Sequence, residues 1–294
     1  MKQKKKLKNV NNDTSEFFLL ISPIVLFLLI FIVYPAFSNF YYSTTKWKGF
    51  GTPQFIGLAN FKRMVGDITF AAALKNTFTL ALYIPLVTLV PLVISAMLRD
   101  GLRGWKIYRA LLYLPNIVGA VLTGLLFSIF LSDNGPVNII LSKIGINAVH
   151  WLTSPGMAIH TIGILTIWGS IGFGCIYFLA AMATIDPDLY DAAKIDGSGW
   201  WRTFFLVTIP AIQFAVEFWV VKSFINTFAR MYGMVFTLTQ GGPGISTITM
   251  EYGIYVKGFQ AGQMGYASAW AVVLFFFCAV IALFQIRLLV RKER

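Results

Sequence analysis

Four aspartates, Asp186, Asp188, Asp191 and Asp196, stand within eleven positions of a 294-residue chain that has only 12 acidic residues. They lie on a short polar segment, Ile185 to Pro210, between two membrane-length apolar stretches. Carboxylates placed there either cap a reentry turn or pair with the basic groups of something that docks. A second polar set is buried in sequence rather than clustered: Gln213, Glu217, Lys222, Asn226 and Arg230 interrupt one apolar stretch. Ionisable groups inside a span mark a solute path or an interhelical pair. At about 100° per residue, Lys222, Asn226 and Arg230 share one stripe, with Gln213 and Glu217 about 140–180° away, so both stripes cannot face one cavity. Arg230 is expected to snorkel to headgroups. Glu217 and Lys222 suit either pairing between helices or solute contact, and Asn226 suits a sugar hydroxyl. Trp168, Tyr177 and Trp219 add aromatic faces on which a sugar ring can stack. Bond-breaking chemistry is not in view. His150 and His160 lack a third ligand at metal spacing, and no GxSxG, HExxH or GxxxxGK[ST] occurs. If this chain moves solute with ATP, another polypeptide hydrolyses it.

The elements that must hold these groups are helices in a bilayer. Hydrophobic residues make up 57% of the chain, charged residues 12%, and the mean hydropathy is +0.71. That composition excludes a soluble domain and predicts an all-α polytopic membrane protein. A span needs about 20 apolar residues, and six stretches supply them: 17–40, 71–98, 110–131, 158–183, 204–238 and 266–290. The fifth is too long for one simple crossing, so part of it projects outside or is broken. The remainder is a basic tail at 1–16, a loop at 185–203 and a short tail at 291–294, around one domain at 17–290. The corner itself follows local rules. Asp186 is placed to cap a helix, Pro187 to fill its first turn, Gly197 to end it, and Ser198 to cap the next, which is read as a long helix entering the bilayer.

Charge sets the orientation. Fifteen of the 24 basic residues fall on one side, in the tail (Lys2, Lys4, Lys5, Lys6, Lys8), the 99–109 and 184–203 loops, and the C-terminal end. That side should be the cytoplasm, with both termini in it. The net charge of +12 flanks helix ends, where anionic lipid headgroups lie, and so argues for membrane lipids and against nucleic acid. Cys175 and Cys278 fall inside spans and read as small core residues. No internal repeat is visible, which counts against a secondary transporter built from inverted halves.

Tyr190-Asp191-Ala192-Ala193, then Asp196-Gly197, then Ile209-Pro210 resemble the cytoplasmic EAA loop of binding-protein-dependent ABC importer permeases. In that family the short helix is a coupling helix that enters a cleft on the ATP-binding subunit. The resemblance assigns ATPase coupling to Leu189, Asp191, Ala192, Ala193, Asp196 and Gly197, with Leu189, Ala192 and Ala193 as a small apolar face. Asp191 stands where the family usually has Glu, and Ser198 where it usually has Ala; aspartate keeps the charge and shortens the reach by one methylene. Thr239-Gln-Gly-Gly-Pro243, Thr247, Tyr255, Gly258-Phe259 and Gly265-Tyr-Ala-Ser-Ala269 are similar to the outer loop and last helix of carbohydrate-uptake permeases. So are Pro23, Tyr34-Pro35, Ser43, Phe55 to Phe61, Asn76-Thr77, Arg109 and Leu114-Pro115. The likeness runs from about residue 17 to 290 and includes the maltose and glycerol-phosphate importer permeases. It implies an ABC type I importer permease fold in a bacterial cell membrane. The expected partners are a second, non-identical permease, two ATP-binding subunits that carry the ATP and Mg, and an extracytoplasmic solute-binding protein. The Lys- and Asn-rich tail suggests a low-GC Gram-positive source, where that protein is a lipoprotein. The implied solute is a sugar or a glycerol-phosphate-like polar molecule.

Overall fold

The computed structural model describes residues 10–100 and 119–292. In chain order the helices are α1 (Val10–Leu28), α2 (Tyr34–Ser43), α3 (Ala59–Val65), α4 (Ile68–Ala81), α5 (Ile84–Arg99), α6 (Gly119–Phe130), α7 (Pro136–Lys143), α8 (Pro155–Met182), α9 (Pro187–Ile195), α10 (Trp200–Thr203), α11 (Ile209–Ala211), α12 (Gln213–Ala229), α13 (Tyr232–Leu238), α14 (Met250–Tyr255) and α15 (Met264–Lys292). A two-stranded antiparallel hairpin pairs β1 (Thr45–Lys46) with β2 (Gln54–Phe55), Thr45 opposite Phe55.

Among the described residues, four helical runs are long and apolar enough to cross a membrane: Leu19–Ser43, Ile68–Arg99, Pro155–Met182 and Met264–Phe284. The expected third span, 110–131, is described only over α6, and its first part lies outside the described residues, with Arg103, Lys106, Arg109 and Leu114-Pro115. The fifth is broken as its length required. Trp200–Ala211 and Gln213–Ala229 meet at 81°, and a second break at Arg230 separates α13. This corrects the long helix expected straight after the Gly corner: the run from Trp200 bends away at Ile212, two residues past Pro210.

Proline explains that geometry. Pro210 has no N–H for the Leu206 carbonyl, and Pro35 has none for Phe31. Just before each proline the ladder slips to a wider π-helical turn, Phe204–Thr208 and Leu29–Val33, in which Ile209 bonds to Phe204 and Tyr34 to Leu29. Pro91, inside α5, likewise has no N–H to give and frees the Val87 carbonyl. That oxygen accepts the Trp219 indole N–H at 3.2 Å and the Ser170 hydroxyl at 3.3 Å. Gly174 brings α8 against this kink, since a Cβ there would sit 2.6 Å from Pro91 Cβ. Three helices are thereby pinned at one unsatisfied oxygen. Trp219→Phe should lower stability by about 1–2 kcal/mol through the lost hydrogen bond, read as a lower melting temperature in detergent.

Two apolar clusters result. One, around Leu92, Phe178, Met182, Phe204 and Trp219, lies toward the end where α5 and α8 finish. The other, around Leu80, Ile162, Phe228, Met250 and Trp270, lies toward the end where α4 and α15 begin. These are called here the Arg99 end and the Asp67 end. The run Leu19–Ser43 stays outside both clusters: from Leu19 to Phe37 nearly every side chain is exposed, and only its last turns pack, where Phe40 meets Phe275 and Phe276 at 5.5 and 6.1 Å and Ser43 is buried.

At the Asp67 end the loops are tied by single polar side chains. Asn60 Nδ2 donates to the carbonyls of Ser43 and Thr45 (2.9 and 2.8 Å), and Asn76 Nδ2 to those of Ile245 and Ile248 (3.0 and 2.9 Å). The Gly-Gly-Pro turn and the residue after it use glycine's backbone freedom, with Gly241 at φ +82° and Gly244 at φ +62°. Asp67 caps α4 through the Thr69 N–H and meets Lys257 Nζ at 3.1 Å and the Tyr266 hydroxyl at 2.9 Å. Burial pushes its carboxyl up, but these three hydrogen bonds and the ammonium win and hold it at about 2, below its ordinary 3.8. A carboxylate with a lowered folded value stabilises above its unfolded value and loses that contribution as pH falls through the folded one. About 2 kcal/mol should therefore be fully present above about pH 4 and vanish toward about pH 2. Thermal melts across that range should show a slope that Asp67→Asn removes.

Candidate functional site

The acidic corner is α9 and its two ends. Asp186 accepts the Asp188 N–H at 3.0 Å and Pro187 occupies the first turn, which starts the helix where the sequence places it. Gly197 at φ +68° stops it, with Gly197 N–H on the Lys194 carbonyl (3.0 Å) and Ser198 N–H on that of Ala193 (2.9 Å). Ser198 does not cap α10. Gly199 holds that position with no side-chain bond, because the Ser198 backbone is already committed to closing α9.

One face of α9 is spoken for. Ala193 is buried, which corrects the reading that it joins Leu189 and Ala192 on an outer apolar face. Tyr190, one turn before it, reaches the Thr208 hydroxyl at 3.3 Å and lies under the Arg99 guanidinium, 3.8 Å from its ring centroid. Arg99 pairs with Asp100 at 2.5 Å, and Asp100 accepts the Trp200 indole N–H at 2.7 Å. The α9–α10 corner is thus fastened to the last turn of α5. A hollow of about 580 Å³ separates them, lined by Arg99, Asp100, Tyr190, Asp191, Lys194 and Trp200.

Among the described residues, nothing covers the outer stripe of α9. Leu189 is 49% exposed and Ile195 86% exposed, with exposed Ala192 between them at helical spacing. Asp191, Asp196 and Gly197 are exposed beside that stripe. Asp191 meets Lys194 at 2.9 Å, both well out in solvent, a pair worth well under about 1 kcal/mol. Sequence reasoning passed over Ile195, since an apolar residue at a helix end reads as core until its neighbours are known.

The second polar set opens into a cleft of about 350 Å³ between α6, α8 and α12. Lys222, Asn226 and Arg230 all line it, which confirms their common stripe, and Trp219 lines it as well. Arg230, assigned from sequence to the headgroups, belongs to this wall. Trp219 is only 2% exposed, so its ring is a floor and not a stacking surface. The Lys222 ammonium rests on it at 4.2 Å and on the more open Phe173 at 4.1 Å. Three other candidates are not on the wall. Glu217 precedes Lys222 by five residues, about 140° around α12. Trp168 is off the α8 stripe of Leu165, Gly169 and Phe173, and packs edge-on to Phe127 at 5.1 Å. Tyr177 lies a turn past that stripe and donates its hydroxyl to the Ala215 carbonyl at 3.2 Å. The histidines are far apart in role, His150 sharing a hydrogen bond with Asp133 (3.0 Å) and His160 with the Tyr83 hydroxyl (2.7 Å).

The structure is a helical bundle with a cationic cleft beside the membrane-length α8 and a capped helix at one end whose outer stripe is exposed among the described residues. Known proteins give its class. Residues 73–294 match the binding-protein-dependent transport system inner membrane component, and the chain belongs to that family. It is similar to the diacetylchitobiose uptake system permease protein NgcF of Streptomyces coelicolor, 32% identical over 270 residues, which cover 86% of this chain and 75% of that one. It is 31% identical to the sn-glycerol-3-phosphate transport system permease protein UgpA of Yersinia pestis, covering 94% of this chain and 95% of the other. Among solved structures, a bacterial ABC transporter involved in the import of the acidic polysaccharide alginate superposes with a TM-score of 0.83 at 26% identity, over 98% of this chain and 100% of that one. The chain is a multi-pass protein of the bacterial cytoplasmic membrane.

Proposed function

We propose that this chain is one of two non-identical permease subunits of an ATP-driven importer whose solute is a sugar, an oligosaccharide in the first instance. In this reading the chain crosses the membrane six times, with both termini and the Arg99 end in the cytoplasm and residues 17–290 as one membrane domain. There α9 acts as the coupling helix, entering one of two ATPase subunits that hold the ATP and Mg, while an extracytoplasmic binding protein delivers solute at the Asp67 end. The observation that carries this reading is the exposed Leu189–Ala192–Ile195 stripe on a helix whose other face is fastened to α5. An apolar stripe at the end of a rigid lever transmits movement only if a partner grips it. The names of the relatives support a saccharide; the 31% identity to a glycerol-phosphate permease keeps a small phosphorylated polyol as the second reading. Affinity purification of the intact chain should bring an ATPase subunit with it, and reconstituted vesicles should take up sugar only with ATP inside. Uptake of the same rate without ATP would remove the proposal.

A further inference from the structure

The lining of the cleft carries two cationic side chains among its polar groups. Its hydroxyls mostly spend their protons on their own helices: Thr166 on the Ile162 carbonyl (2.8 Å), Ser223 on Trp219 (2.8 Å) and Thr227 on Ser223 (2.9 Å). On α12 what is left to donate is the Lys222 ammonium, the Asn226 amide and the Arg230 guanidinium, on successive turns across about 12 Å. Among the described residues that line the cleft there is no Asp or Glu. Among the described residues Lys222 and Arg230 form no ion pair. Lys222 makes do with the faces of Phe173 and Trp219, and Glu251, close enough to Arg230 to feel its charge, turns Oε2 to the Tyr232 N–H at 2.8 Å and is off the wall.

Lys222, half-buried in the apolar bundle, loses hydration and is repelled by Arg230 on the same face of the cleft, a cost that an entering anion offsets and a neutral hydroxyl does not. We infer that the cleft selects saccharides carrying an anionic group, a carboxylate or a phosphate, with Lys222 as its seat, Asn226 beside it and the exposed Arg230 at the mouth. Phe173 offers the stacking face that Trp219 cannot. This rests on the importer reading and narrows its substrate to acidic sugars.

The test uses the full chain in nanodiscs with whatever subunits accompany it, titrated calorimetrically with digalacturonate, glucose 6-phosphate and maltose. At least one of the two anions should bind about tenfold or more tightly than maltose. A response to the uronate alone assigns a carboxylate sugar, and one to the phosphate alone a phosphorylated sugar; each supports the assignment. Lys222→Gln and Arg230→Gln should each erase the advantage, and Lys222→Arg should keep it. The ranking of the three probes on the unaltered protein needs no variant to fold. Maltose binding as tightly as both anions, or no binding of any probe at about 10 mM, overturns the inference. Loss of subunits from Lys222→Gln with the anion preference intact places the cations in a subunit interface and also overturns it. ATP-driven maltose uptake unchanged by Lys222→Gln would leave the importer reading standing without this one. Absence of any ATPase alongside an intact anion preference would do the reverse.

Discussion

Leu189→Asp combined with Ile195→Asp is expected to reduce ATP-driven uptake at least about a hundredfold while leaving the permease folded. Both side chains are largely outside the molecule, at 49% and 86% exposure, so aspartate there meets water in the isolated subunit and costs its fold little. Against a partner the same charges would be buried without a counterion. Each would forfeit an apolar contact and add a desolvation penalty, together more than about 3 kcal/mol, or over two decades in affinity. The measurement is paired: the melting temperature of the purified permease should hold within a few degrees, while the ATPase is lost on co-purification. Asp191→Asn is the contrast. Its pair with Lys194 is solvent-exposed, so the change should cost the fold nothing measurable, and any loss of uptake would come from a basic group on the partner. Retention of the ATPase by the double variant would mean that α9 is not the coupling helix.

The corner was legible because its determinants are local. Asp186, Pro187 and Gly197 start and stop α9 by capping, ring geometry and left-handed backbone, and each does so within a few residues. The shared stripe of Lys222, Asn226 and Arg230 was legible for the same reason, since a helix repeats wherever it lies. What was hidden depends on neighbours far along the chain. Trp219 reads as a sugar platform until Pro91, on another helix, leaves a carbonyl that claims its indole. Ala193 reads as part of the outer face until the packing of Tyr190 turns that flank inward. The 81° bend at Ile212 could be placed only loosely, because length required a break but not its position. Arg230 lies at the end of α12, where its long side chain serves headgroups or cleft equally well; its place on the cleft wall came only with the packing of α6 and α8.

Gly265→Ala should destabilise the permease by about 3 kcal/mol or more, although it adds a single methyl group. Gly265 opens the last long helix where its first turn crosses the hairpin, and its N–H donates to the Trp47 carbonyl at 3.0 Å. A Cβ on it would overlap the Thr45 carbonyl oxygen and sit 3.2 Å from the Trp47 amide nitrogen. Both obstacles are backbone, held by the Asn60 side chain that bonds Thr45, so no side-chain rotation can make room. Relief requires α15 to lift from the hairpin, which breaks the Gly265–Trp47 bond and disturbs the neighbouring Tyr266–Asp67 contact at 2.9 Å. Overpacking of about 1–3 kcal/mol and a buried hydrogen bond of about 1 kcal/mol then add. For a domain of this size the melting temperature should fall by roughly 6–12 °C. Gly156→Ala is the control: nothing lies within 4 Å of a Cβ there, and alanine in the first turn of α8 should leave stability unchanged or raise it by up to about 1 kcal/mol. Equal melting temperatures for the two variants would show that α15 does not rest on the hairpin.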